Sequence, residues 1–238
     1  MTGIIDSALL IMSGAERRIE TLANNVANIA TPGFKRQISF AEVLGGGEGG
    51  PAPGMSPVLN HRADLAQGRM TETGNPLDLA ISGEGFFQLR DGDRTVFTRD
   101  GQFRRADDGR ILTQQGQILQ QAGGGDLVLD SSEVEILRDG TVLSGGSPVA
   151  RIALAAPADA RSVDAIGGSL FRIPAEGIEE VAEPNLRQGH VEASNVSLGD
   201  EMAAMTAALR QAESGARLVT LYDDLLGRAI TAFGQVAR

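Results

Sequence analysis

Two stretches at opposite ends of this chain repeat their apolar positions every seven residues, and the long stretch between them alternates apolar with polar residues. Near the C-terminus, Leu198, Met202, Met205, Leu209, Ala212, Ala216, Val219, Asp223, Leu226, Ile230, Phe233 and Ala237 fall at spacings of four and three, with Asp223 the one polar member. Such a repeat specifies a helix laid along another helix. Over residues 197–238 it predicts a rod on the order of 60 Å long at the helical rise. A second row, Leu218, Leu221 or Tyr222, Leu225, Ala229, Ala232 and Val236, widens the apolar sector beyond what one partner helix covers.

The first thirty residues supply one candidate partner. Ile5, Met12, Ile19 and Val26 lie seven apart, with Ala8, Ala15, Leu22 and Ile29 three residues further on. The spacing predicts a helix over about residues 4–29 that pairs with the C-terminal one. The competing reading packs both helices on the middle of the chain. The length of the C-terminal repeat and the scarcity of large side chains in the N-terminal half weigh against it. Gly14 weakens the first helix by about 1 kcal/mol relative to alanine, yet with Ala15 it offers a low spot for a neighbouring backbone. Asn24, Asn25 and Asn28 fall beside the seam, where their amides bond either a neighbouring chain or, by default, water. Thr31-Pro32-Gly33-Phe34 then stops the helix, because Pro32 pushes the preceding residues out of helical geometry and Gly33 permits a sharp turn.

Beyond Phe40 a Gly/Pro-rich run, Gly45 to Pro57, reads as a flexible connector. It is no phosphate-binding loop, since no strand precedes it and no Gly-Lys-Ser/Thr follows. From about Asn75 the period becomes two. Leu77, Leu79 and Ile81, then Phe86 to Arg90, then Thr95 to Thr98 extend between turns at Gly83–Gly85 and Asp91-Gly92-Asp93. Asp100-Gly101, Asp107-Asp108-Gly109 and Asp139-Gly140 repeat the turn chemistry, and Val149 to Leu154 and Leu170 to Ile173 add strands. The fold class expected is α+β: terminal helices pairing as a discontinuous, coiled-coil-like domain around a mainly antiparallel all-β middle. Phe86 or Phe87, Phe97, Phe103 and Phe171 are placed in its core. The domains expected are residues 1–30 (N-terminal helix), 31–74 (connector), 75–196 (β domain) and 197–238 (C-terminal helix).

Several of these stretches resemble one family. LANNVANIATPGFKR, Leu22 to Arg36, is similar to the N-terminal signature of the flagellar rod and hook proteins. GNPLDLAISGEGFFQL, FTRDGQF and GRILTQQGQIL follow in the order of that family's β region. QGHVEASNV, Gln188 to Val196, resembles its exit into the terminal helix, and Glu201-Met202 its ending. The lead Gly68-Arg69-Met70-Thr71 resembles the proximal-rod branch first and the distal-rod branch second. The resemblance marks Asn24, Asn25, Asn28, Thr31, Pro32, Gly33, Phe34, Ser194 and Asn195 as motif residues. It implies a structural subunit of the bacterial flagellar basal-body rod, assembling by its terminal helices into a helical tube that transmits torque. The implied partners are copies of itself, other rod proteins and the flagellar export apparatus; the implied place is the periplasmic span of the rod. Ile5, Met12, Ile19, Leu22 and Val26, with Leu198, Met202, Met205, Leu209, Val219, Leu226, Ile230 and Phe233, are the expected assembly residues.

Composition narrows the alternatives. The net charge of −10 lies mostly between the helical ends, each of which is nearly neutral. An acidic body argues against nucleic acid, which needs a basic footprint. Cysteine is absent, so thiolate metal sites and cysteine nucleophiles are excluded. The apolar run Ile4 to Met12 is interrupted by Asp6 and followed, not preceded, by Arg17-Arg18, so no cleavable signal is expected. Chemistry-bearing groups do not converge. His61 and His190 are far apart in sequence and read as surface or turn histidines. Ser82 lacks the nucleophile-elbow order, and Glu179-Glu180 and Asp223-Asp224 read as solvated pairs. No catalytic residue, cofactor, metal or small-molecule substrate is expected. A surface binding module whose helices only dimerise is the second reading, and a glycan hydrolase using spaced carboxylates the third.

Overall fold

The seven-residue repeats fold as two long helices, α1 over Gly3–Ala27 and α2 over Leu198–Val236, in a computed structural model that describes residues 3–42, 58–131, 134–181 and 183–236. The Gly/Pro run from Gly45 to Pro57 lies outside the described residues. Contacts divide the chain into two units. One comprises Met1–Ala27, Gln37–His61 and Ser197–Arg238; the other comprises Asn28–Arg36 and Arg62–Val196.

In the helical unit α1 and α2 run antiparallel. Asn25 meets Glu201, Arg18 donates to Gln211 Oε1 at 3.2 Å, and Gly215 sits over Met12 and Ala8. The contact row on α1 is Ala8, Ala15 and Leu22, and that on α2 is Glu201, Ala208 and Gly215, all buried and seven apart. Small residues let the two backbones approach. A Cβ on Gly215 would stand 2.6 Å from Met12 Cγ and 3.2 Å from the Ala8 carbonyl oxygen. The low spot expected at Gly14 is therefore at Gly215, since a Cβ on Gly14 meets nothing within 4 Å. This register brings the start of α1 opposite Tyr222, and α2 continues beyond it by about four turns.

The remaining described residues form strands, turns and two short 3₁₀ helices, Ala160–Ser162 and Ala175–Gly177. In order, the strands are β1 (Gln37–Glu42), β2 (Val58–Ala63), β3 (Met70–Glu72), β4 (Leu79–Ile81), β5 (Phe86–Asp91), β6 (Arg94–Thr98), β7 (Phe103–Arg105), β8 (Ile111–Thr113) and β9 (Ile118–Leu119). They continue as β10 (Val134–Ile136), β11 (Thr141–Ser144), β12 (Ser147–Arg151), β13 (Leu154–Pro157), β14 (Asp164–Gly167), β15 (Leu170–Arg172), β16 (Ile178–Glu180), β17 (Leu186–Gln188) and β18 (His190–Glu192). The largest sheet has the order β14-β15-β6-β5-β9-β8-β7, with β13 joining β5 to β16. Its ladders are antiparallel. β10, β11 and β12 form a second sheet, and β1-β2, β4-β17 and β3-β18 pair two by two.

Alternation along β5 splits its phenylalanines between two cores, because successive side chains leave opposite faces of a sheet. Phe87 enters the larger core with Phe103, Leu89 and Leu119, meeting Phe103 edge-on at 5.2 Å between ring centres. Phe86 enters the smaller with Phe97 and Phe171, 5.3 Å from the latter. Both alternatives weighed for the core, Phe86 and Phe87, are thus buried. Gly92 takes a positive φ of 61° in the tight β5-β6 turn. Gly101 lies so close to the Leu79 carbonyl that no side chain fits there.

Candidate functional site

The motif segments, far apart in sequence, converge on one buried carboxylate. Glu192 ends β18 with no solvent exposure. Its Oε1 receives the Lys35 ammonium at 2.5 Å and the Gly68 N–H at 2.8 Å, and its Oε2 receives Arg99 Nη1 at 3.2 Å. Its backbone carbonyl accepts from Gly33 N–H at 2.8 Å. Lys35 also donates to the Ala66 carbonyl at 2.7 Å, and Arg99 Nη2 to the Gly83 carbonyl at 2.7 Å. The Arg99 guanidinium lies 5.3 Å from the Phe86 ring centre. TPGFK, FTRDG and HVEASN are thereby tied into one knot within the β unit. Gly33 is required there, having a φ of 68° and packing directly on the Arg99–Asp100 peptide.

Two cations share one anion in this knot, away from water. Burial lowers the pKa of Lys35, against the pull of Glu192, and lowers that of Arg99 in the same way. Arg99 Nε is the one buried side-chain polar atom without a partner among the described residues. Lys35 is the only lysine beside twenty arginines in the chain. Lys35 is only 2 % exposed, and its compact ammonium lies between a carboxylate and a carbonyl.

A second polar node ties the helical unit. Asn25, fully buried, places its amide against the backbone of Gln37: Nδ2 donates to the Gln37 carbonyl at 2.9 Å, and Oδ1 accepts the Gln37 N–H at 2.8 Å. The same Nδ2 donates to Glu201 Oε2 at 2.9 Å. Asn25 thus imitates a strand residue for β1 and anchors the first turn of α2. Solvation, the default expected for these asparagines, is wrong for Asn25, because it sits on the buried stripe of α1. Asn28 accepts from Thr31 Oγ1 at 3.2 Å and closes the helix end. Asn195 clasps chain within the β unit, accepting from Arg36 N–H at 2.7 Å and donating to the Asp64 and Ala66 carbonyls at 2.8 and 3.0 Å. Ser194 Oγ accepts from Val196 N–H at 3.2 Å, and Phe34 is buried.

The expected assembly residues divide into two groups. Leu22 is buried, and Ile5, Met12, Ile19 and Val26 are half-buried on α1. On α2, Met205 and Val219 are half-buried, flanking the contact row. Leu198, Met202, Leu209 and Leu226 are exposed, Met202 to 58 % and Leu209 to 50 %. The contact between the helices is therefore centred one position away from the expected row. The small face of α2 meets α1, and its large aliphatics stay outside. Leu9 and Leu10 of α1 and Leu218, Leu221 and Leu225 of α2 are exposed as well. The side chains of Ile230 and Phe233 lie outside the described residues.

Other reactive groups stay apart. His61 meets Thr21 Oγ1 at 3.2 Å, and His190, the first residue of β18, meets the Gln188 carbonyl of β17 at 2.9 Å across the turn at Gly189. No metal-binding cluster occurs among the described residues. Burial, helped by the nearby Asp78 charge, raises Asp100 to about 6 against the Gln102 N–H bond. Asp126, bridged by Arg90 and bonded by Gln120, is held down at about 2. Sequence reasoning missed the knot of Lys35, Arg99 and Glu192, although the single lysine was a visible signal.

Three family models match the chain. Residues 12–35 match the flagella basal body rod protein model, residues 80–144 the flagellar hook protein FlgE/F/G D1 domain, and residues 187–232 the flagellar basal body rod FlgEFG protein C-terminal model. Among whole proteins, the flagellar basal-body rod protein FlgF of Caulobacter vibrioides is 31% identical, covering 92% of this chain and 93% of its own. FlgF of Salmonella typhimurium is 31% identical over 87% of this chain and 88% of its own. The flagellar basal-body rod protein FlgG of Bacillus subtilis is 27% identical over 90% of this chain and 93% of its own.

Proposed function

This chain belongs to the flagellar basal-body rod protein family, most like FlgF with FlgG close, and we propose that it is a structural subunit of the rod that assembles through its two terminal helices. The observation that carries the assembly route is the large aliphatics left exposed on α2, on the row of Met202 and Leu209 and on the second row of Leu221 and Leu225. Met202, Leu209, Leu221 and Leu225 are half or more exposed, while Ala208 and Gly215 occupy the buried row. A helix that hides alanine and glycine and shows leucine to solvent is arranged for further helices. Repeated contact between unlike faces of like subunits builds an open helical filament.

In this reading the two terminal helices are the assembly part and the unit of Asn28–Arg36 and Arg62–Val196 is the acidic β body, so most of the expected connector 31–74 belongs to folded units. The partners are other rod proteins and further copies of the chain. The place is the basal body, in its periplasmic span, reached through the flagellar export apparatus. Catalysis and nucleic-acid binding have no part in it, and the asparagine nodes and the Glu192 knot are structural ties. Leu209→Asp puts a charge where a neighbour packs, whereas Arg210→Asp replaces a residue that is already charged, off the Met202–Leu209 row. Sedimentation of the purified chain at rising concentration is expected to show assemblies for the parent and for Arg210→Asp but monomer for Leu209→Asp. Equal behaviour of the two variants sinks the assignment of this face.

A further inference from the structure

The β unit carries a small cavity of about 150 Å³ where β13 parts from β5 and runs beside edge strand β16. This is well below the several hundred Å³ typical of a small-molecule site. It does admit one long side chain.

Its walls are Ala122, Ala153, Leu154, Ala155 and Ile178, and its polar groups are Gln88, Gln121 and Glu180. Glu180 pairs with Ala155 across β13-β16, so its carboxylate stands on the cavity's face of the sheet, exposed and with no ion-pair partner among the described residues. The half-buried Gln88 amide makes no side-chain hydrogen bond among the described residues, although its neighbours Gln120 and Gln121 make them to Asp126 and Gly124. Gly123 and Gly124 keep the rim free of side chains, since a Cβ on either meets nothing within 4 Å. The cavity thus sets small apolar side chains beside a carboxylate and two carboxamides, and no basic residue lines it among the described residues. That is the complement of a long cationic side chain, whose stem lies along apolar walls while its head donates to acceptors.

We propose that this cavity receives an arginine side chain of a second copy of the chain, as a lateral contact between β bodies. Arginine follows from composition. Twenty of the 21 basic residues are arginine, and the single lysine is spent inside the knot at Glu192. The contact rests on the rod reading, because it needs neighbouring copies, but it uses residues that the helices do not.

The absence of cysteine makes the test direct. Ile178→Cys at the rim is coupled to a maleimide bearing an arylglyoxal, which forms adducts with guanidinium groups. The labelled full chain is mixed with unlabelled ¹⁵N chain at concentrations where the parent sediments as assemblies. The expected result is an adduct joining the label to an arginine of a ¹⁵N chain. Glu180→Arg lowers its yield about tenfold, as like charges meet, and Glu180→Gln lowers it about threefold. If assemblies form but the adduct is missing, or its yield is unchanged in Glu180→Arg, the cavity proposal falls and the rod reading stands. If the parent stays monomeric at every concentration, both fall.

Discussion

The two units solve the burial problem in opposite ways. The β unit encloses its large side chains: Phe86, Phe87, Phe97, Phe103 and Phe171 are all buried, and its strands alternate to supply two cores. The helical unit encloses alanine, glycine, Leu22 and one asparagine–glutamate pair, and leaves most of its leucines outside. A unit that buries its phenylalanines is complete by itself. One that buries its methyl groups and exposes its leucines keeps apolar surface open to a neighbour. The contrast also separates two uses of polarity. In the β unit a charged knot fixes which segments meet, and in the helical unit an amide fixes the register of α1, β1 and α2.

The largest expected effect breaks the knot. Glu192→Gln leaves Lys35 and Arg99 as two buried cations without their anion and is expected to cost about 3–5 kcal/mol. Denaturant melts followed by near-ultraviolet signals from the phenylalanines measure it; a loss below 1 kcal/mol means the knot does not organise the β unit. Next comes proton linkage at Asp100, whose acid form the fold favours. Stability from this group is greatest near pH 4, declines as pH rises towards about 6, and is level above that. The span is on the order of 2–3 kcal/mol, and it vanishes in Asp100→Asn. Asp126 acts in the other direction and lower on the scale: its contribution is present above pH 4 and lost as pH falls towards about 2.

Asn25→Ala removes three hydrogen bonds from the helical unit and leaves Glu201 buried without the amide, at an expected cost of about 2 kcal/mol. Helicity measured against temperature reads this out, and an unchanged melt disproves the register role. The smallest effect on the monomer is expected from Leu225→Ser. Leu225 is 64% exposed, so its loss changes monomer stability by less than about 0.5 kcal/mol. The same substitution is expected to raise the concentration needed for assembly. A large monomer effect means that this leucine is already covered within one chain, and the contrast between the units fails.

Periodicity made the helices and the β middle legible, since each depends on a repeat that any window of sequence displays. It also found the seven-residue row of α2, but it misplaced the face turned to α1. Hydrophobicity scales favour leucine over alanine, whereas two helices brought together at Gly215 are selected for smallness. The roles of Asn25 and Glu192 were out of reach for a related reason. Each acts on partners more than ten and up to 176 residues away, and a polar residue gives no local sign that it will be buried. Motif likeness marked Asn25, Thr31 to Phe34 and Asn195, yet it gave no reason for them. The reason is that they hold backbone to backbone where strand ladders do not reach.

The scarcity of lysine has a practical outcome. A protease that cuts only after lysine has a single address in this chain, Lys35, and in the folded protein that address is locked inside an ion cluster. Cleavage there, read as two fragments on a gel, clocks how often the clasp between the first helix's exit turn and the end of β18 comes undone. Every other opening of the molecule leaves the gel blank.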